Sequence, residues 1–252
     1  MEFPEEARKK LEEYLATHDL PAGLGSEEAA CSVAAINLAL TGTLTDKIPN
    51  CMSYVIGRWM IRIQDAMPSD IRNSQEWKFL LPLAAGTGRQ YEQERRKIVV
   101  AWLWETVIPY FQSYADRIGM GDEWREMTEK RDYDSAIKAR DVARVIRDKN
   151  WTADAAAVAA VAVAAADAAA AAADADADAA DADAAAAAAD AADAAAAAAA
   201  AVAAADAVAA ADADAAAAAA DAAVAARKTF WLAMDPCGLL KKLIEVGQEK
   251  RD

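Results

Sequence analysis

Residues 49–68 read PNCMSYVIGRWMIRIQDAMP, and within them Met52, Val55, Ile56, Trp59, Met60 and Ile63 recur at spacings of three and four. At 3.6 residues per turn, that spacing gathers large apolar side chains on one face of a helix. Pro49 suits its opening and Pro68 its end. A helix with one apolar face must bury it against something, and the flanking sequence offers more of the same kind.

Upstream, Pro4 can sit in the first turn of a helix over Glu5–Thr17, with acidic residues early and Leu11, Tyr14 and Leu15 on one side. A Pro/Gly loop follows at residues 20–25. Ser26 is the expected N-cap of a second helix, with Glu27 and Glu28 in its first turn, running to about Leu40 and stopping near Gly42. Downstream, Ser74 caps a short helix through Trp77, Phe79 and Leu80, which Pro82 is expected to limit, and Gly86-Thr87-Gly88 closes the segment. A long stretch from Arg89 to Ile118 has an apolar middle, and Pro109 should kink or break it. Gly119 and Gly121 mark the next turn, with helices near Asp122–Lys130 and Asp134–Lys149. No alternation of period two supports a sheet. The fold class is all-α, with residues 1–150 as an N-terminal helical bundle. Residues 227–252 regain large apolar side chains (Phe230, Trp231, Leu239, Leu240, Leu243, Ile244) and are expected to form a C-terminal helical segment that returns to the bundle.

Between them, residues 151–226 are of another kind. From Ala153 to Ala226 the 74 residues are 55 Ala, 13 Asp and 6 Val. This stretch carries nearly all of the formal charge of −14, because outside it 28 acidic residues face 27 basic ones. Alanine loses no side-chain entropy in a helix, so an ordered tract without Gly or Pro is helical. As one rod it would reach about 110 Å, with alanine exposed all round. Helices packed closely as a layer or a hairpin are therefore expected instead. At 100° per residue, Asp167, Asp174, Asp178 and Asp181 share a sector of about 60°, and Asp176, Asp183 and Asp190 share another roughly opposite. Two acidic edges would leave two alanine faces for neighbours, and these seven aspartates form the candidate interaction surface. The bland alternative makes Asp174–Asp178 and Asp212–Asp214 turns, and disorder is a further one. A spacing of seven recurs upstream, at Asp134, Asp141 and Asp148.

The tract is similar to the long alanine-rich helical regions of bacterial and phage proteins of the immunity-protein kind, which bind and neutralise a toxin partner. That resemblance covers residues 153–226 and rests on composition, and it carries over no motif residue. It implies a non-enzymatic acidic binding protein, an inhibitor or immunity-type factor acting through a protein partner. Two other readings come from the residues themselves. Thirteen Asp without one Lys or Arg could mimic a nucleic acid and attract a protein that binds one. Flat rows of alanine methyls could bind ice or another extended surface.

Catalytic chemistry finds little footing. The sole histidine, His18, falls at a helix end, where a cation suits the dipole. Asp174, Asp176 and Asp178 imitate a calcium loop, but Ala179 and Ala185 stand where glycine and glutamate belong. Gly86-Thr87-Gly88-Arg89 lacks the strand and the lysine of a phosphate loop and reads as a turn. Cys31, Cys51 and Cys237 are odd in number and far apart, which suits reduced thiols in the cytoplasm. Trp102 and Trp104 cannot share one side of a regular helix, which hints at one of them on a contact surface, but core packing is the expectation for the pair. Arg95, Arg96 and Lys97 read as a solvated face. No cofactor, metal, membrane or direct nucleic-acid contact is expected; a homodimer is. The acidic start lacks the basic and apolar regions of a secretory signal.

Overall fold

The computed structural model describes residues 2–148 and 213–247. The described residues are helices and connecting turns, and the class is all-α. The only β-type pairing among them is an isolated bridge between Gly25 and Ala30. None of the described helices is long and apolar enough to cross a membrane. The contacts divide the chain into two compact units, the first holding described residues 2–99 and 235–247, the second 100–148 and 213–234. The sequence reading divides the chain by composition, near residue 150. The contacts divide it instead inside a helix of ordinary composition, where the sequence shows no change.

In the first unit α1 (Glu5–Thr17) packs on α2 (Ser32–Thr41) and α5 (Gln75–Ala85), α2 packs on α3 (Tyr54–Ala66), and α12 (Pro236–Glu245) packs on α5. A single turn, α4 (Ser69–Arg72), leads into α5, and residues 92–99 of α6 (Glu92–Trp102) belong here too. The stretch that opened the sequence reading buries the face its spacing requires, but the helix opens at Tyr54 rather than at Pro49, so that Met52, also buried, precedes it. Ser53 caps α3 by accepting from the Ile56 N–H, and Val55, Ile56, Trp59, Met60 and Ile63 are all buried. Gly57 lies in that helix because Ile48 crosses it, where a Cβ would come within 2.7 Å of the isoleucine side chain. Trp59 lies 6.1 Å from Trp77 between ring centroids, and the Trp77 indole N–H donates to Ser32 Oγ at 3.1 Å.

Two further helix bounds in this unit are corrected. The second helix starts at Ser32 with Cys31 as its N-cap, not at Ser26. The chain over Ser26–Ala30 is already committed elsewhere. Ser26 and Ala29 bond each other's backbones, and the Ala30 N–H donates to the Tyr14 hydroxyl at 2.7 Å. The Ser74 helix runs through Pro82 to Ala85. Proline removes one intrahelical donor near the end of the helix, and Pro82 is itself buried.

In the second unit α8 (Gln112–Arg117) packs on α9 (Gly121–Lys130) and α9 on α10 (Tyr133–Asp148). Pro109 acts one turn ahead of itself. After residues 100–102 of α6 the helix widens to a π-helical turn over Leu103–Val107, in which the Ile108 N–H reaches the Leu103 carbonyl, and α7 (Ile108–Tyr110) then ends at Phe111. A widened turn relieves the clash between a proline ring and the carbonyl four residues before it. Trp102 and Trp104 are both buried, in keeping with the expected core packing.

The last helix, α11 (Ala213–Met234), packs on the π turn. It begins inside the alanine-rich stretch and continues without interruption into ordinary sequence. Phe230 on α11 meets Tyr110 at 5.2 Å edge-to-face and Phe111 at 6.2 Å, and the Trp102 indole donates to the Met234 carbonyl at 2.8 Å. On α10, Ala136, Ala139, Ala143 and Ile146 are buried, while Asp134, Asp141 and Asp148 form an exposed row at their seven-residue spacing.

Candidate interaction groove

The seven aspartates of the candidate surface, Asp167, Asp174, Asp176, Asp178, Asp181, Asp183 and Asp190, lie outside the described residues, as does the expected layer or hairpin of residues 153–212. Among the described residues a groove runs between α1 and α5. On α1 it uses Arg8, Glu12, Leu15 and Ala16, and on α5 Gln75, Lys78, Phe79, Pro82 and Leu83. Each set is one stripe at helical spacing, and the two stripes face each other. The depression measures about 480 Å³.

Its floor is apolar, with Leu15 and Pro82 buried and Leu83 half-buried. Phe79 stands at its edge and is 71% exposed, more than any other large apolar side chain described. The sequence reading placed Phe79 with Trp77 and Leu80 without separating their faces. The signal was present, because Trp77, Leu80, Leu81 and Ala84 share the inward face and Phe79 falls about 200° from Trp77.

The rim is charged and partly braced. Lys78 Nζ donates to the His18 carbonyl at 2.8 Å and lies 3.7 Å from the Asp19 carboxylate. Arg8 Nε lies 3.6 Å from Glu5, whose carboxylate is exposed. His18 ends α1 as expected: its backbone N–H bonds the Tyr14 carbonyl, and its ring stacks on Tyr14 at 4.2 Å and 3°. Its Nδ1 lies 2.8 Å from Thr17 Oγ1 and 3.0 Å from the Tyr14 carbonyl, so the ring finishes the helix end.

The remaining residues singled out from sequence are structural. Thr87 holds the Gly86–Arg89 turn, donating to the Ala84 carbonyl at 2.7 Å and accepting from the Ser53 N–H at 3.0 Å. The three thiols are all buried, and burial pushes each of them up, Cys237 to about 11 with help from the nearby Glu76 carboxylate. Among the described residues no three His, Cys, Asp or Glu side chains are grouped to hold a metal ion.

The basic cluster is corrected most sharply. Arg95 is 1% exposed and Arg96 is 6% exposed, so neither is a solvated face. Arg95 donates through Nε to the Leu243 carbonyl at 3.0 Å, through Nη1 to Gly88 and Gln90, and through Nη2 to Thr87 and Val246. Its guanidinium therefore joins the end of α12 to the 87–90 turn. Glu92, one turn earlier, caps α3 from outside, accepting from the Tyr54 and Val55 N–H groups at 2.9 and 3.0 Å and from Ser53 Oγ at 2.9 Å. A carboxylate at a helix N-terminus also satisfies the dipole.

Compared with known proteins, the chain matches no family model, no curated protein and no solved structure.

Proposed function

We propose that this chain is a binding protein that acts by holding another protein, as an inhibitor or immunity-type factor does, with the α1–α5 groove as the seat of contact. The observation that carries the reading is Phe79, an aromatic ring 71% exposed on a well-packed helix beside an apolar depression. Aromatic side chains of this kind dominate the energetics of protein interfaces, because they bring area without much entropy to lose. The occupant that fits is an amphipathic helix of the partner. Its apolar side chains would cover Phe79, Leu83 and Leu15, with an acidic group towards Arg8 and a basic one towards Glu12.

The test is affinity capture on the immobilised chain from a lysate of the source organism, followed by a Kd with the purified partner. Three proteins are compared: the full chain, Phe79→Ala, and a variant lacking residues 153–226. Loss of an interface anchor is expected to weaken binding by about 30-fold. A partner lost with Phe79→Ala and kept without the tract supports the groove. A partner kept by Phe79→Ala and lost with the tract moves the contact to the alanine–aspartate stretch.

A second reading is favoured by that stretch, whose 13 Asp have no compensating cation. As a nucleic-acid mimic it would hold a basic partner with an affinity that falls steeply with salt and with Asp→Asn changes. Capture that ignores salt would exclude it.

A further inference from the structure

The link from α2 to α3 is extended chain. Residues 43–49 run without helix, turn or bend and with no positive φ. One edge of this run is fastened. Asn37, buried on α2, donates through Nδ2 to the Thr45 carbonyl at 2.8 Å and to the Lys47 carbonyl at 2.7 Å, and the Lys47 N–H donates to Thr45 Oγ1 at 3.2 Å. In an extended chain successive residues aim their N–H and C=O groups at opposite edges. Leu44 and Asp46 therefore present theirs at the other edge, together with the Ile48 N–H. Arg89 takes the Ile48 carbonyl at 3.4 Å, and Pro49 ends the row because it has no N–H to offer. Among the described residues, the N–H and C=O of Leu44 and Asp46 and the N–H of Ile48 meet no partner.

A row of unpaired main-chain donors and acceptors at strand spacing is matched by another extended chain. One face of the run also offers room for side chains. Thr43, Thr45 and Lys47 line a depression of about 920 Å³ with Leu40, Pro49 and Tyr54, and every residue that lines it is among the described ones. A second copy of the same run fits the edge poorly. Antiparallel pairing centred on Asp46 sets carboxylate against carboxylate, and pairing centred on Thr45 sets Asp46 against Leu44. We propose that residues 44–48 receive an extended peptide of a partner protein as an added strand. A basic residue of that peptide lies opposite Asp46, and an apolar one opposite Thr45 covers the depression beside Tyr54. This surface is separate from the α1–α5 groove, and neither depends on the other.

The probe is a phage-displayed library of random short peptides, selected on the full chain and counter-selected on a variant carrying both Leu44→Pro and Asp46→Pro. Proline keeps the run extended and removes two of the outward N–H donors. Synthetic copies of the selected peptides are expected to bind the double variant about tenfold more weakly than the wild type, and Phe79→Ala as well as the wild type. The peptides' own backbone nitrogens are then methylated one at a time. Affinity for the wild type should fall about tenfold at alternate positions and hardly at those between, the signature of a strand rather than a helix. That measurement leaves the protein untouched, so a misfolded proline variant cannot imitate it. A library that yields no peptide preferring the wild type, peptides lost with Phe79→Ala instead, or methylation effects without alternation would each overturn the assignment.

Discussion

The first unit fastens irregular chain with buried polar side chains, whereas the second relies on aromatic rings and on ion pairs at its surface. In the first, Arg95 holds carbonyls of the 87–90 turn and of Leu243 and Val246, and Arg72 holds those of Leu20, Gln64 and Met67. Asn73 accepts from the Leu20 N–H at 2.6 Å, and Glu92 caps α3. In the second, Tyr110, Phe111, Tyr114, Phe230 and Trp231 are in ring contact. Charge there lies in surface pairs such as Arg125 with Asp116 and Asp122. The difference follows from connection. In the first unit α1–α2 and α2–α3 are joined by long non-helical segments. The buried arginines serve carbonyls of such segments and of the ends of α3 and α12, which have no ladder partner and need a donor from elsewhere. From α7 to α10 the turns are short, and most backbone groups stay bonded within helices. A guanidinium with five N–H donors is the side chain best able to serve several carbonyls at once.

The comparison makes Arg95 the residue whose loss should matter most. Arg95→Met keeps the aliphatic stem and removes every donor, leaving buried carbonyls without partners. The expected loss is about 3–5 kcal/mol in urea unfolding of the full chain, as for a broken buried charge network. The end of α12 loses its anchor, so alkylation of Cys237 in the absence of denaturant should accelerate from near nothing to a measurable rate. A loss below about 1 kcal/mol would show that water serves those carbonyls as well as arginine does, and the contrast between the units would fail.

Phe230 tests the other side. Phe230→Ala should cost about 3 kcal/mol, at the low end for a buried phenylalanine because Tyr110 and Phe111 can close part of the gap. Phe230→Leu separates the two contributions a ring makes. If edge-to-face contact with Tyr110 matters beyond burial, leucine should still cost about 0.5–1.5 kcal/mol, read with near-ultraviolet circular dichroism as the measure of ring order. If leucine is neutral, the cluster is ordinary apolar packing.

What could be read from the sequence divides along the same line. The bounds of α1 and α9 and the end of α3 follow from apolar spacing and local signals, which are properties of neighbouring residues, whereas α3 opens at Tyr54 under Ser53 and Glu92 rather than at Pro49. The start of α2 was misplaced because the Tyr14 hydroxyl that takes the Ala30 N–H belongs to another helix. Arg95 and Arg96 looked solvated because the carbonyls that Arg95 serves at Leu243 and Val246 lie about 150 positions away and leave no trace near it. Phe79 was legible by angle alone, but the groove was not, since it needs α1 opposite α5.

The smallest effect belongs to the surface of the second unit. Glu126 on α9 accepts from Lys130 at 2.7 Å and from Lys138 on α10, so one carboxylate links two helices. Hydrogen bonds from Lys130 and then Lys138 hold its carboxyl down to about 2, against an ordinary 4.5. A carboxyl lowered on folding stabilises the native state when ionised. Its contribution is therefore complete above about pH 4.5 and lost as the pH falls through about 2. Thermal melts of the wild type and Glu126→Gln, paired at about pH 7, 5 and 3, isolate that contribution from other carboxylates. The gap between the two proteins should be modest at pH 7, unchanged at 5, and narrower at 3. Added salt should narrow it at neutral pH, because exposed pairs are screened. A gap that is large, indifferent to salt and constant with pH would mean that surface charge fastens the second unit as firmly as buried charge fastens the first.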